Sequence, residues 1–297
     1  MTAKRTSQVL LERLVDTNGF AVRKSSNDGA FWYTSGKPGP FYINTQNIAG
    51  EHGAEAALDK INHILKADHS KEAQAKAIFE VIQHTIANDE SYDNSINAFV
   101  DYYISHSSYK PIVISGGERR DWFFSIPFAK KLNLPHICLF KSGEYLVTDH
   151  EGNTIEIDIR GVKVLHVADI INLASSYTNR WIPILKQAGT AFTETLSVAV
   201  RSQEGVQNLK ANHVSVISPL IVERPLFKEA FSLGLINEFA YNEIISFYDS
   251  PEDWTRRFII ESDLDNSNLN SREMERLEVF KKTDPYQLKS ELPAFFT

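Results

Sequence analysis

Apolar residues in the first hundred positions recur mostly three and four apart, which is the spacing of helices with one buried face. Leu10 and Leu14 lie four apart in this way and predict a short amphipathic helix over 6–17. The same spacing continues between 51 and 107, where good helix formers such as alanine are frequent. This second stretch predicts about three helices.

The stretch 31–45 interrupts the helical pattern with aromatic and turn-forming residues. Two short aromatic runs flank the turn-formers Gly36, Pro38, Gly39 and Pro40. Glycine and proline at this density mark a turn. The pattern therefore predicts two short strands joined by a turn.

Beyond Lys110, short apolar runs alternate with helical patterns. The runs predict strands at 111–114, 136–140, 162–167, 191–200 and 214–217. This alternation is typical of an α/β fold whose mainly parallel sheet is flanked by helices. After Glu223 the pattern is helical, and the polar residues 263–271 predict a loop.

The order of these patterns divides the chain into three predicted domains. Residues 1–110 hold N-terminal helices and the aromatic hairpin, 111–222 form the sheet-containing core, and 223–297 form a helical extension. The 297 residues, 42% of them hydrophobic, are enough to bury a large core.

Charge and composition narrow the function classes. The net charge of −7 and the pI near 5.7 argue against general affinity for nucleic acid, because phosphate neutralisation needs a basic surface. No apolar run reaches the ~18 residues of a membrane helix, and the N-terminal residues lack a signal peptide's apolar core. We expect a cytoplasmic protein without membrane or nucleic-acid partners. Cys138 is the single cysteine, and no Cys/His cluster has zinc-ligand spacing, so we expect no metal held by the protein alone.

Ligands of open parallel sheets bind beyond the carboxyl ends of the strands. Three such junctions follow predicted strands, at 115–121, 141–150 and 168–177. In the first, Gly116 and Gly117 would let the backbone approach an anion. Arg119 and Arg120 oppose the dipole of the following helix unless an anion binds there. The alternative is a tight turn whose arginines are solvated or paired with carboxylates of the same loop.

The other two junctions carry groups for proton transfer and phosphate binding. Lys141 and His150 belong to a polar stretch that either closes over a substrate or forms an exposed hairpin. Asp169 ends a predicted strand. Ser175 and Ser176 either cap the next helix or hold a phosphate together with its first N–H groups.

Taken in order, these segments resemble the type I phosphoribosyltransferases, and orotate phosphoribosyltransferase in particular, from about residue 20 to 217. The hairpin resembles the segment around the orotate site, which implies that Lys37, Phe41 and Tyr42 contact a base. Arg201 resembles the arginine that receives the orotate carboxylate.

The resemblance implies a role for each residue of the three junctions. It implies pyrophosphate binding by Gly116, Gly117, Arg119 and Arg120. It implies ribose binding by Asp169, 5′-phosphate binding by Ser175 and Ser176, and catalytic roles for Asp169, Lys141 and His150. The ribose-phosphate motif departs from the family pattern, because Ala168 replaces its first acidic residue. Residues 172–174 likewise replace most of its Thr/Gly-rich turn.

The implied activity is transfer of ribose 5-phosphate from 5-phosphoribosyl 1-pyrophosphate to a nucleobase such as the pyrimidine orotate. That is a glycosyltransferase reaction of nucleotide metabolism. Mg²⁺ would arrive with the donor, and the resemblance implies a homodimer. If only the carboxylate at 168 is missing, Ala168→Asp is expected to strengthen donor binding with magnesium. The alternative is a non-catalytic protein on the same fold that binds a nucleotide or sugar phosphate, since fold does not fix function.

Overall fold

A seven-stranded sheet lies at the centre of the larger of two compact units. The structure is a computed structural model that describes residues 5–261 and 269–296. The larger unit comprises Met1–Gly19 and Asn44–Val222, and the smaller one comprises Phe20–Ile43 and Glu223–Thr297. The three-domain division of the chain stays a prediction.

Helices and strands alternate along most of the described chain. The helices are α1 (Thr6–Asp16), α2 (Glu51–Lys66), α3 (Lys71–Ala87), α4 (Glu90–His106), α5 (Trp122–Leu132), α6 (Ile182–Gln187), α7 (Gln203–Ala211), α8 (Arg224–Ser232), α9 (Glu238–Asp249), α10 (Pro251–Glu261) and α11 (Ser271–Thr283). The strands are β1 (Phe20–Val22), β2 (Phe31–Trp32), β3 (Pro38–Gly39), β4 (Phe41–Ile43), β5 (Val113–Gly117), β6 (His136–Leu139), β7 (Tyr145–Thr148), β8 (Lys163–Ile171), β9 (Ala191–Val200), β10 (Ser215–Ile217) and β11 (Leu220–Ile221).

The central sheet has the strand order β10-β9-β8-β5-β6-β7, and β11 also pairs with β9. Neighbouring strands are parallel except β6 and β7. Strands β5 and β8 are buried over most of their length, as expected of central strands covered on both faces. The predicted α/β fold with a mainly parallel sheet is confirmed. Because β5, β8 and β9 run in the same direction, their carboxyl ends lie at one edge of the sheet.

An apolar cluster lies between one face of this sheet and the helical segment 175–187, which ends with α6. Val113, Val164, Trp181 and Leu185 are almost completely buried in it. Before α6 the chain makes a π-helical turn at Tyr177–Trp181, which carries Trp181 into the cluster. The packing of this turn fixes the chain that leaves β8.

Helices α1–α4 precede the strands of the central sheet along the chain, as the apolar spacing predicts. Leu10 and Leu14 of α1 are buried, and α2, α3 and α4 occupy the predicted helical stretch 51–107. Helix α3 begins at Ser70, whose side chain accepts the Ala73 N–H and so caps the helix. These helix predictions are confirmed.

The smaller unit combines two two-stranded sheets with helices α8–α11. Strands β2 and β3 pair across a turn at 33–37, so Pro38 and Gly39, predicted as turn-formers, lie in strand β3. The second aromatic run is β4, which pairs with β1 and not with the first aromatic run. Arg23 is buried here and forms an ion pair with Glu243. Most of the predicted loop 263–271 lies outside the described residues. A search of the described helices finds none with the length and apolar character needed to cross a membrane.

Candidate functional site

A cavity of about 450 Å³ opens where the carboxyl ends of β5 and β8 meet. It is lined by residues 118–121 after β5, by Lys141 after β6, and by much of the segment 169–181. All three predicted junctions therefore contribute to one cavity. The reason is topological, because parallel neighbouring strands deliver their following loops to the same edge.

Cations surround one side of this cavity. Arg119, Arg120 and Lys141 line it, and the Lys141 ammonium lies 3.8 Å from the Glu118 carboxylate. Burial lowers the pKa of Lys141, and the nearby Arg119, Arg180 and Arg120 act in the same direction while Glu118 opposes them. A phosphate group would relieve the repulsion among these cations. Arg180 could not be predicted from the sequence, because it lies in the π-helical turn and not in a recognisable motif.

Asp121 lies at the floor of the cavity and bonds to backbone on both sides. Its Oδ2 accepts the Gly117 N–H at 3.0 Å, and its Oδ1 accepts the Asp169 N–H at 3.0 Å. His166 Nε2 is 3.4 Å from the same Oδ2. The hydrogen bonds of this carboxylate thus hold two loops, whereas the tight-turn interpretation paired it with an arginine.

Asp169 places a second carboxyl group beside Asp121. Its Oδ1 accepts the N–H of Ile170 at 2.6 Å. Burial, followed by the charge of Asp121, raises the pKa of Asp169 to about 8, although Arg120 acts in the opposite direction. Two carboxyl groups therefore meet at the cavity floor, one from each loop.

Ala168 is directed away from this pair. Its side chain is 2% exposed and belongs to the apolar cluster with Ile171 and Trp181. A carboxylate at 168 would be surrounded by apolar side chains instead of meeting a ligand. This placement argues against the expectation that Ala168→Asp strengthens donor binding. The second carboxylate of the site comes from Asp121 on the neighbouring loop.

Gly116 and Gly117 are buried within β5 and do not line the cavity. A Cβ on Gly116 would lie 1.9 Å from Ser125 Oγ, and a Cβ on Gly117 would lie 2.3 Å from the Trp181 ring. Both glycines are thus required by the packing of α5 and of the π-helical turn against the strand. The sequence predicted that these glycines let the backbone approach an anion. Close packing explains the presence of glycine at both positions instead.

Ser175 and Ser176 line the cavity at the start of the helical segment that follows β8. Ala174 precedes them in the left-handed region, with φ of 59°, and its carbonyl accepts the first helical bond, from Thr178 N–H. The first N–H groups of a helix have no acceptor within the helix. Two exposed hydroxyls and a helix start together suit a phosphate.

Two further predicted residues of the larger unit, besides Gly116 and Gly117, do not line this cavity. His150 lies in the turn after β7, 3.8 Å from Glu151, because residues 141–153 form an antiparallel hairpin and turn. The hairpin alternative considered for this stretch is the one observed. Arg201 follows β9, and its backbone N–H donates to the Ile171 carbonyl at 2.7 Å.

Three of the four predicted base-contacting residues, Lys37, Phe41 and Tyr42, belong to the smaller unit. Phe41 is 3% exposed, and its ring stacks on Tyr248, so it is a core residue of that unit. The Lys37 ammonium lies 4.8 Å from the centre of the Tyr286 ring. Tyr42 is partly buried. Burial of Phe41 argues against a direct contact between this ring and a base.

The described residues contain no group of three or more His, Cys, Asp or Glu side chains placed to hold a metal ion.

Comparison with known proteins establishes the fold. No protein-family model matches the chain, and no curated protein sequence matches it significantly. Among solved structures, UMP synthase from Leishmania donovani superposes with a TM-score of 0.55 at 13% identity over 82% of this chain. The match covers only 42% of that longer protein. Orotate phosphoribosyltransferase from Francisella tularensis gives a TM-score of 0.51 at 12% identity, over 80% of this chain and 96% of its own.

These similarities show that the chain has the type I phosphoribosyltransferase fold. Identities of 12% and 13% establish the architecture alone. The activity has to be argued from the cavity.

Proposed function

We propose that this chain binds 5-phosphoribosyl 1-pyrophosphate in the cavity and transfers its ribose 5-phosphate to a nucleobase. The observation that supports this most directly is the composition of a single cavity. Cations lie on one side, two carboxyl groups at the floor, and two serine hydroxyls at a helix start. A donor with a pyrophosphate, ribose hydroxyls and a 5′-phosphate has one chemical partner for each of these groups.

In this proposal the donor spans the loops after β5 and β8. Arg119, Arg120 and Lys141 bind the pyrophosphate, because each provides a positive charge at the cavity wall. Ser175 and Ser176 bind the 5′-phosphate. Asp169 lines the cavity together with the cations and the two serines. In this proposal it accepts hydrogen bonds from the ribose hydroxyls.

The donor set also fits Mg²⁺ bound together with the donor. Magnesium in such sites usually takes one or two carboxylates, substrate phosphate oxygens and water. We propose that Asp169 holds the ion and that the nearby negative charge of Asp121 adds to its attraction. When bound, the ion would help to neutralise the pyrophosphate.

The chain's own residues would act mainly on the leaving group. The bond between ribose C1 and the pyrophosphate oxygen breaks with positive charge developing on the sugar. Fixed cations at Arg119 and Arg120 stabilise the departing pyrophosphate, and fixed charges aimed at developing charge commonly give the largest catalytic effect. Lys141 is the cavity's proposed catalytic cation, and the position of His150 gives it no part in this step.

The acceptor in this proposal is a nucleobase, and a pyrimidine such as orotate is the first base to test. Arg201 is the residue of the larger unit that we propose to contact it, on the basis of the resemblance. The same resemblance supports our proposal of a homodimer.

A paired measurement tests the main proposal. Donor is titrated calorimetrically with magnesium and with chelator, and release of pyrophosphate is followed in the presence of each common nucleobase. Magnesium-dependent binding with turnover supports the transferase. Absence of donor binding under both conditions rejects the proposal.

A non-catalytic binding protein is the second candidate, and two features of the site favour it. The buried Ala168 leaves a single acidic residue in the ribose-phosphate motif, and the exposed Leu173 stands in place of the usual polar turn. Donor binding without turnover of any tested base would support this candidate.

A further inference from the structure

One carboxylate joins the two halves of the cavity. Asp121 accepts the Gly117 N–H through Oδ2 and the Asp169 N–H through Oδ1, both at 3.0 Å. Gly117 ends the strand that leads into the cationic loop 118–120. Asp169 begins the segment that leads to the serine hydroxyls. Beyond the last paired residues of these neighbouring strands, the Asp121 side chain therefore continues the connection between β5 and β8.

The surroundings of Asp121 hold the carboxylate in place. Its side chain is 12% exposed, and His166 Nε2 lies 3.4 Å from Oδ2. His166 is itself fully buried, with Nδ1 3.0 Å from Ser115 Oγ. The backbone carbonyl of Asp121 accepts the N–H groups of Phe124 and Ser125 in the first turn of α5. The first turn of α5 thus fixes the backbone of Asp121, and the N–H groups of Gly117 and Asp169 fix its carboxylate.

We infer that Asp121 is a positioning residue that keeps the pyrophosphate-binding and ribose-phosphate-binding loops in register. It does so by accepting one backbone hydrogen bond from the last residue of β5 and one from a residue near the end of β8, the strands from which the two loops begin. This compensates for the acidic residue absent at 168, because the second carboxylate of the floor now comes from the opposite loop. The consequence for ligand binding rests on the proposed function, whereas the backbone bridge does not.

The variant Asp121→Asn tests the bridge with little change of shape. An asparagine keeps one carbonyl oxygen but turns an NH₂ group toward one of the two backbone N–H donors. Amide exchange followed by NMR in the ligand-free protein should accelerate at least tenfold at Gly117 or Asp169, relative to other buried amides of β5 and β8. If both amides keep their protection, the inference is overturned whatever the ligand.

Ligand fragments test the consequence. Affinities for inorganic pyrophosphate, ribose 5-phosphate and the intact donor are measured with magnesium for both proteins. If Asp121 sets the register, the variant loses at least tenfold more affinity for the donor than for either fragment. Equal losses for all three would indicate general disruption, and a loss confined to one fragment would indicate direct contact. Either result contradicts a positioning role.

A matched control separates the bridge from a general loss of stability. Asp284 of the smaller unit accepts the Leu288 N–H through Oδ1 and the Lys289 N–H through Oδ2, so Asp284→Asn disrupts one of a similar pair of backbone bonds. It should leave the donor-to-fragment ratio unchanged. Asp121→Glu is the second variant if the asparagine protein fails to fold, with the same readouts expected to change. A wild-type protein that binds no donor rejects the proposed function, while amide exchange still decides the bridge.

Discussion

At the scale of single residues, the raised pKa of Asp169 makes stability depend on pH. Its pKa is about 8 in the folded chain, because of burial and the nearby Asp121, against about 4 for an unfolded aspartate. Between these values the folded state keeps a proton that the unfolded state has released. This group therefore makes the protein less stable as pH rises from about 4 to about 8.

Asp169→Asn removes that dependence. We expect the melting temperature of the variant, relative to wild type, to increase between pH 5 and pH 8. Asp158 provides the control, since its pairing with Arg160 lowers the pKa to about 2. A group with a lowered pKa loses its contribution only as pH falls below about 4, so Asp158→Asn should give a constant difference over the same range. An equally constant difference for Asp169→Asn would contradict the prediction.

Ala168 is next to Asp169 in the chain, but its side chain lies among apolar residues and not in the polar cavity. Its methyl group is buried among Ile171 and Trp181, so Ala168→Asp places an unpaired carboxylate in an apolar cluster. We expect a loss of about 3 kcal/mol in the free energy of unfolding. Urea denaturation measures it, and Ala168→Ser, which adds no charge, should cost less. A stable Ala168→Asp protein with stronger magnesium-dependent donor binding would restore the motif-based expectation.

At the scale of elements, most helices and sheet strands could be predicted from the sequence, because hydrophobic periodicity and strand order determine where they lie. The apolar runs located β5, β6, β8 and β9, and the three junctions that meet at the cavity followed from the parallel sheet. What could not be predicted depends on contacts between distant residues. Nothing near Gly117 indicates that Trp181 packs against it, and nothing near Asp121 indicates that it binds the Asp169 N–H.

The helix start after β8 gives a prediction at this scale. Ser175 and Ser176 are exposed in the cavity, and hydrogen bonds to a charged group contribute about 1.5–3 kcal/mol each. Replacing both serines by alanine should weaken binding of ribose 5-phosphate at least tenfold, measured by calorimetry. Ser70→Ala is the matched control, because Ser70 caps α3 outside the cavity. It should lower stability without changing that affinity. Equal affinity in the double variant would mean that these hydroxyls only cap the helix.

At the scale of the whole molecule, charge governs how the donor is bound. The chain carries a net charge of −7, so an anionic donor is repelled at long range and attracted only inside the cavity by Arg119, Arg120 and Lys141. Magnesium lowers the charge of the donor and offsets the repulsion that arises between Asp121 and Asp169 when Asp169 releases its proton. Binding and the resulting stabilisation should therefore require magnesium.

A ligand that binds only the folded state at 100 times its dissociation constant stabilises it by about 2.7 kcal/mol. For a chain of this size that corresponds to a rise of about 5 °C in the melting temperature. We expect this rise with donor and magnesium together, and a much smaller one with donor and chelator. The rise should shrink with added salt, because the cavity cations are partly exposed and salt screens them. Arg119→Gln together with Arg120→Gln should abolish the rise, while Arg160→Gln, on an exposed surface turn, should leave it unchanged. A full rise in chelator would show that the carboxyl pair and magnesium play no part in holding the donor.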